Sequence, residues 1–361
     1  MKQFNKNNNY KYNIAILPGD GIGPEVINAS LKVIKKSLKL DNIIIKEKVY
    51  NWGSNYYKKH KLMMPDDGLE KLKKHDAIFL GAVGDKDIDD DITLWGLRLK
   101  ICQGLDQYAN IRPSIYIKGF NSPLNEHLAK KIDWVIVREN SEGEYAGSGG
   151  IVHKGLPIEI GSEVAVFTRE GCRRIHDYAF KLASKRPKKH LTLITKSNAQ
   201  KHGMKLWDKM FYEVKKYYPK VNTNKLLVDA ATAVMVNNPE KIDVMVATNL
   251  HADILSDLAS ALTGSLGIGA TANIATNKNF PSMFEPIHGS AFDIVGKNNA
   301  NPIGAIWSGM MMLEHLGEYK SANRIFKAIK LYANTGGPFT PDLGGTANTK
   351  KVINSILKLL V

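Results

Sequence analysis

The sequence predicts an α/β fold in two lobes, on three observations. Short apolar runs rich in β-branched residues alternate with amphipathic stretches along the chain, the pattern of strands and helices in turn. Each apolar run ends in a cluster of polar residues, as strands do where a sheet presents its carboxyl ends to a ligand. A length of 361 residues favours two lobes over one.

The elements follow in order. "NIAILPGD" (13–20) is the first expected strand, and "GPEVINASLKVIKKSLKL" (23–40) reads as the helix after it. "DAIFLGAVG" (76–84), "IDWVIVREN" (132–140), "HLTLITKSN" (190–198) and "IDVMVATNL" (242–250) are further buried strands, with "EGCRRIHDYAFKLASKR" (170–186) as a second clear helix. Their polar ends gather Asp20, Arg138-Glu139-Asn140, Lys196-Ser197-Asn198 and Asn249. The polar start "MKQFNKNNNYKYN" lacks an apolar signal core and reads as a tail before the first strand, with the cytoplasm as the expected compartment.

Composition narrows the class. Hydrophobic content of 43% and charged content of 24% suit a globular protein, and no apolar run approaches the roughly 18 residues of a membrane span. Two cysteines, Cys102 and Cys172, are too few for a disulfide framework or a thiolate metal site. The net charge of +15 is spread over scattered lysines with no nucleic-acid module, so attraction of small polyanions is the preferred reading over nucleic-acid binding.

Certain segments carry chemistry. "LPGDGIGPEV" (17–26) is a strand, a glycine turn and a helix start. Its glycines alternate instead of following G-x-G-x-x-G, and Asp20 would repel a phosphate, so a tight structural turn is expected. In "NLHADILSDLAS" (249–260), Asp253 and Asp257 stand four apart among apolar residues, a spacing that puts both on one helix face. With Asp229 at the end of "LLVD", three hard carboxylates without cysteine or clustered histidine suit Mg2+ or Mn2+. Lys196 lies just beyond a buried strand, where desolvation would move an amine toward a base's range. Tyr145 sits in the glycine-bearing loop "RENSEGEYAG"; Arg112 and Arg138 could form forks for carboxylates.

Together, "LPGDGIGPEV", "NIRP", "VRENSEGEY", "TKSN", "NLHADILSDL", "FEPIHGSAFDIVGKNNANP" and "TPDLGGTAN" stand in one order over nearly the whole chain. On them the sequence resembles the metal-dependent β-decarboxylating dehydrogenases of the isopropylmalate/isocitrate type. "YYKKHKLMMPDDGLEKL", "SMFEP" and "LWG…DQYAN" look most like the tartrate/D-malate branch.

The resemblance implies a two-lobed isopropylmalate/isocitrate dehydrogenase-like fold, distinct from the Rossmann fold. It places a discontinuous cofactor-binding domain at 1–107 and 265–361, and a substrate, metal and dimerisation domain at 108–264. The activity implied is NAD- and divalent-metal-dependent oxidative decarboxylation of a small 2-hydroxy dicarboxylate, D-malate or tartrate first. Asp253 and Asp257, with Asp229 from a second subunit of a homodimer, would hold Mg2+ or Mn2+; a further K+ is left open. Lys196, likewise donated across the dimer, would be the base, assisted by Asp229, and Tyr145 would protonate the enol carbon. Arg112 and Arg138 would grip the substrate carboxylates. Asn198, Glu285, His288, Gly289, Ser290, Ala291 and Asn301 match the cofactor contacts. Asp293 stands where a carboxylate accepts hydrogen bonds from NAD ribose hydroxyls and repels the NADP phosphate.

The substrate helix departs from the pattern. Cys102 stands where the family carries an arginine ten residues before the one in "RP". Arg98, one turn earlier, is expected on the same face and could supply the guanidinium. Lys100 and Gly96 disfavour bulky apolar and tricarboxylate substrates respectively. His251-Ala252 replaces a common "FG"; His251 is read as a packing substitute ahead of an added ligand. An isopropylmalate-like or homoisocitrate-like substrate, or a catalytically weak regulatory subunit, remains the alternative.

Overall fold

The computed structural model describes residues 10–277 and 279–361, so most of the polar start lies outside the described residues. The chain divides into two compact units. The first comprises 1–107, 116–123 and 263–361; the second comprises 108–115 and 124–262. Residues 116–123 and 263–264, expected in the second domain, thus belong to the first.

In chain order the strands are β1 (Tyr12–Gly19), β2 (Ile45–Val49), β3 (Ala77–Ala82), β4 (Ala109–Ile115), β5 (Asp133–Glu139), β6 (Gly149–Val152), β7 (Ile160–Glu163), β8 (His190–Thr195), β9 (Asn222–Leu227), β10 (Val244–Ala247), β11 (Ala270–Ile274) and β12 (Ser282–Pro286). The five long apolar runs expected as strands are β1, β3, β5, β8 and β10.

In the first unit the strands order as β2-β1-β3-β12-β11. All neighbours are parallel except β11 and β12. Ile14, Ala15, Leu17, Ala77, Ile78, Phe79 and Leu80 are fully buried, as strands covered on both faces require. The helix Gly23–Lys39 has a proline in its first turn beside Glu25, and Lys36 and Lys39 in its last, matching its dipole. It lays Val26, Ile27, Val33, Ile34 and Leu38 into the core, and Gly309 of the buried helix Ile303–His315 admits the tip of Ile34.

The glycine turn after β1 is structural, as its sequence suggested. Asp20 accepts from Ser54 N at 2.7 Å, Ser54 Oγ at 2.8 Å and Gly84 N at 3.1 Å, so its carboxylate is spent on the protein's own loops. Gly21 has φ +56°, and a Cβ there would lie 2.1 Å from Ser290 O, so only glycine lets the 290 loop approach.

In the second unit the order is β4-β5-β10-β8-β9, with β4 antiparallel to β5 and the rest parallel. β6 and β7 form a separate antiparallel hairpin. The helix Arg169–Lys185 is capped by Thr168, whose side chain accepts from Gly171 N, and buries Ile175, His176, Ala179 and Phe180. Cys102 and Cys172 are both free and buried. Among the described residues no helix is long and apolar enough to cross a membrane.

One ion pair ties helix to helix in the first unit. Arg324 donates from Nη1 to Asp41 Oδ2 at 2.9 Å and from Nη2 to Oδ1 at 3.0 Å, a bidentate fork with both side chains about a tenth exposed. Those bonds hold the Asp41 carboxyl well below the usual carboxylate range, against the upward push of burial and with help from Ser321 and Lys320. A carboxyl depressed in the folded state gives stability above its unfolded pKa of about 3.9, lost as pH falls below it. Asp41→Asn should therefore lower Tm at pH 7, and the gap to the wild type should narrow as unfolding is followed from pH 5 to pH 3. A gap constant with pH would separate the pair from this linkage.

Candidate active site

The candidate site of the second unit starts from the β4–β5 ladder. Its antiparallel register sets Asn110 opposite Arg138, and Arg112 lies two residues from Asn110, so all three occupy one face. In the neighbouring parallel strand Ala247 pairs with Arg138. Because β10 ends there, the helix Asn249–Thr263 begins beside the guanidinium. Ala252, Leu255, Ser256 and Ala259 are buried, so the helix leaves Asp253 and Asp257 on its more open side.

Two nearly buried arginines converge on Asp253. Arg112 Nη1 donates to Asp253 Oδ1 at 3.1 Å and also to Ser256 Oγ, while its Nε donates to Asn110 Oδ1 at 2.8 Å. Arg138 Nη1 donates to the same Oδ1, and its Nε to Asn249 Oδ1 at 2.8 Å. Tyr145 O–H donates to Asp253 Oδ2 at 3.2 Å, and Arg138 lies 5.4 Å from its ring centre. Buried guanidinium groups need such partners, since an uncompensated charge away from water is costly.

Tyr145 is placed by a folded loop. Glu139, buried at the end of β5, accepts from Ser141 N at 2.9 Å and Glu142 N at 2.7 Å. Burial pushes its carboxyl up despite those bonds. Gly143 then turns with φ +72° and pairs with Val166, and Tyr145 follows in a single 3-10 turn.

Lys196 and Asp229 meet at the other side of this sheet. β8 and β9 pair in register Thr195 to Leu227, so the residues just beyond face each other, and Lys196 Nζ donates to Asp229 Oδ1 at 2.6 Å. That bond draws the Asp229 carboxyl down. The expected desolvated amine is corrected here: Lys196 is about a third exposed and sits against a carboxylate.

The acids fit a divalent cation in part. Two oxygen donors one turn apart on a helix suit Mg2+ or Mn2+ in hardness. Desolvation pushes the Asp257 carboxyl up, with Arg112 and Arg138 opposing and the neighbouring Asp253 adding to the rise. A third donor is not in reach: among the described residues no group of three His, Cys, Asp or Glu side chains could hold a metal. Within one chain Asp229 therefore does not join Asp253 and Asp257. His251 is a packing residue, buried with Nδ1 3.1 Å from Thr248 Oγ1 and its pKa lowered by burial.

The expected nucleotide residues lie together in the first unit, apart from Asn198, which is exposed in the turn after β8. His288 Nδ1 is 3.0 Å from Gly289 O and must carry the hydrogen, because a carbonyl only accepts. Its Nε2 is then an acceptor, shut away from water without a partner. Burial keeps the ring neutral. An orphaned acceptor beside Gly289, where a Cβ would meet open space, fits an N–H donor of a ligand such as an adenine. Ser290 is buried, Ala291 is held at φ +45°, and Asp293 is exposed with no partner of its own. Asn301 is already engaged, donating to Asp342 Oδ2 at 2.9 Å and accepting from Ile303 N at 3.0 Å.

The reading of the substrate helix needs correction. Leu94–Leu99 is a π-helical turn running into the helix Lys100–Gly104. Arg98 lies in the π turn and Cys102 in the α-helical segment that follows it. Cys102 packs in the hydrophobic core with Leu97, Ile101 and Leu105. Arg98 instead donates from Nε to Glu285 Oε1 at 2.8 Å and from Nη2 to Asn273 Oδ1 at 3.4 Å; Asn273 Nδ2 donates to the same Glu285 oxygen at 2.8 Å. Lys100 is half-buried at the start of the following helix.

Sequence reasoning passed over Asn110, Asn273 and Ser256, which partner the arginines. The signal for Asn110 was present: it stands two residues before Arg112 in a strand, hence on the same face.

Comparison with known proteins shows what the chain as a whole is similar to. The family model described as isocitrate/isopropylmalate dehydrogenase matches residues 13–356. An Agrobacterium vitis protein named probable tartrate dehydrogenase/decarboxylase is 57% identical over 97% of this chain and 98% of its own. The decarboxylating D-malate dehydrogenase of Escherichia coli is 44% identical over 96% of this chain and 98% of its own. The crystal structure of isocitrate dehydrogenase from Methylococcus capsulatus is similar with a TM-score of 0.88 and 34% identity, over 97% of this chain and 99% of that one.

The core position of Cys102 yields a prediction. Cys102→Arg forces a guanidinium into an apolar cluster and should cost at least about 3 kcal/mol of stability, read by chemical denaturation. A variant as stable as the wild type would mean that this position opens to solvent.

Proposed function

Because the chain belongs to the isocitrate/isopropylmalate dehydrogenase family, we propose that it oxidises and decarboxylates D-malate or tartrate with NAD and Mg2+ or Mn2+. At the coarser level it is a decarboxylating hydroxyacid dehydrogenase, as its relatives are. The observation that carries the finer reading is the convergence of Arg112, Arg138 and Tyr145 on Asp253, with Asp257 one turn away.

The roles follow from the groups. Arg112 and Arg138 bind substrate carboxylate. Lys196 takes the hydroxyl proton while a hydride leaves the same carbon, and Asp229 beside it stabilises the ammonium that results. The carboxylate now β to the new carbonyl departs as CO2, leaving its electron pair on carbon, where Tyr145 delivers a proton. A divalent cation held by Asp253 and Asp257 would supply Lewis acidity toward the hydroxyl and its adjacent carboxylate; NAD would supply the hydride acceptor. Asp293, exposed and unengaged, favours NAD over the phosphate-bearing cofactor.

Position 96 supports a small substrate. A Cβ on Gly96 would come within 2.6 Å of Met63 Cγ, so a side chain that reads a third carboxylate has no room there without a shift of Met63. With NAD, Mn2+ and K+, D-malate or a tartrate should exceed isopropylmalate, isocitrate and homoisocitrate in kcat/KM by at least about tenfold. EDTA should abolish NADH formation. Best turnover of isopropylmalate would overturn the substrate, and undiminished turnover in EDTA would overturn the metal.

A homodimer with shared sites is part of the same proposal. It is supported by the missing third acid and by the β6–β7 hairpin, where Ile151, Val152, Leu156, Ile158 and Ile160 are each more than half exposed. Lys196→Ala and Asp253→Ala subunits, each inactive alone, should regain activity when exchanged into heterodimers, because one site of each heterodimer then carries neither lesion. Verified exchange without recovery would place every group of a site on one chain.

A further inference from the structure

We infer that Asn249 is a positioning residue: its side chain locks the loop bearing Tyr145 to the Arg138 guanidinium. The inference rests on the roles proposed above for Tyr145 and Arg138. Asn249 is fully buried at the start of its helix, and both ends of its amide are used. Oδ1 accepts from Arg138 Nε at 2.8 Å, and Nδ2 donates to Glu142 O at 3.2 Å. The orientation of the amide is unambiguous, since a guanidinium only donates and a carbonyl only accepts.

Those two bonds close a ring. From Asn249 it runs through Arg138 to Asp253, then through the Tyr145 hydroxyl and back along the loop to Glu142. The far side of the loop is pinned separately, where Glu142 Oε2 accepts from Thr168 N at 2.9 Å and Gly143 N donates to Val166 O at 2.8 Å. The Asn249 amide ties the loop backbone at Glu142 inward to the arginine. Gly143 passes close by: a Cβ there would lie 3.6 Å from that of Asn249. Beside the direct ties through Asp253, the distance between proton donor and carboxylate clamp thus depends on a side chain buried behind both.

The isosteric Asn249→Asp separates the two bonds. Its Oδ1 still accepts from Arg138, while Oδ2 now faces the Glu142 carbonyl and repels it. We expect kcat to fall about ten- to a hundredfold with KM little changed, because the clamp survives. Asn249→Ala, losing both bonds, should raise KM as well. In a Tyr145→Phe background Asn249→Asp should cause no further loss of kcat, the non-additivity of residues acting through one another. Independently of activity, amide exchange over residues 140–147 should quicken in Asn249→Asp while the 252–260 segment is unchanged. An equal loss of kcat in both backgrounds, or unaltered exchange in the loop, overturns the inference. Should Tyr145→Phe retain full kcat, the proton-donor role fails on its own, and the exchange measurement alone decides the tether.

Discussion

The second unit is organised around one electrostatic requirement, the compensation of Asp253. The helix that buries Ala252, Leu255, Ser256 and Ala259 turns its 253 and 257 carboxylates to the more open side, where Asp253 lies against cations. Two arginines answer it, one from each strand of the β4–β5 ladder. Both guanidinium groups are nearly buried and so have needs of their own, which Asn110, Asn249 and Ser256 meet. The network is thus closed on all sides, and it fixes Tyr145 through the same carboxylate.

The first unit solves a different problem, the close approach of loops at the carboxyl ends of its strands. Asp20 draws Ser54 and Gly84 together, and Gly21 admits the backbone at Ser290. An aspartate that would repel a phosphate is harmless when three hydrogen bonds consume it, although burial still raises its pKa. The result is a loop at His288–Asp293 with an unpartnered imidazole nitrogen and an exposed carboxylate, two acceptors for the donor groups of a ligand. Arg98, Glu285 and Asn273 form a second compensated cluster in this unit, made by a helix turn one residue too wide for α geometry.

Much of this was legible in residue order alone. The five buried strands announced themselves because parallel strands covered on both faces are continuously apolar. The i, i+4 spacing of Asp253 and Asp257 fixed their common face, since both lie inside one regular helix. The alternating glycines of 17–26 excluded the dinucleotide fingerprint for a reason of spacing.

What local pattern could not supply was every relation set by register, turn geometry or a long-range partner. Arg98 was read as a free guanidinium for a substrate, but its partner Glu285 stands 187 positions away, and Cys102 packs in a core most of whose other members lie far off in sequence. Lys196 was expected to be desolvated because its strand is buried, but the strand's end is open and β9 brings Asp229 against it. Periodicity is a property of a single element, so sequence by itself determined which elements form and which face of each is apolar. Which charge meets which is decided by pairing between residues more than a hundred positions apart, as with Arg112, Arg138 and Asp253, and only the tertiary structure brings those together.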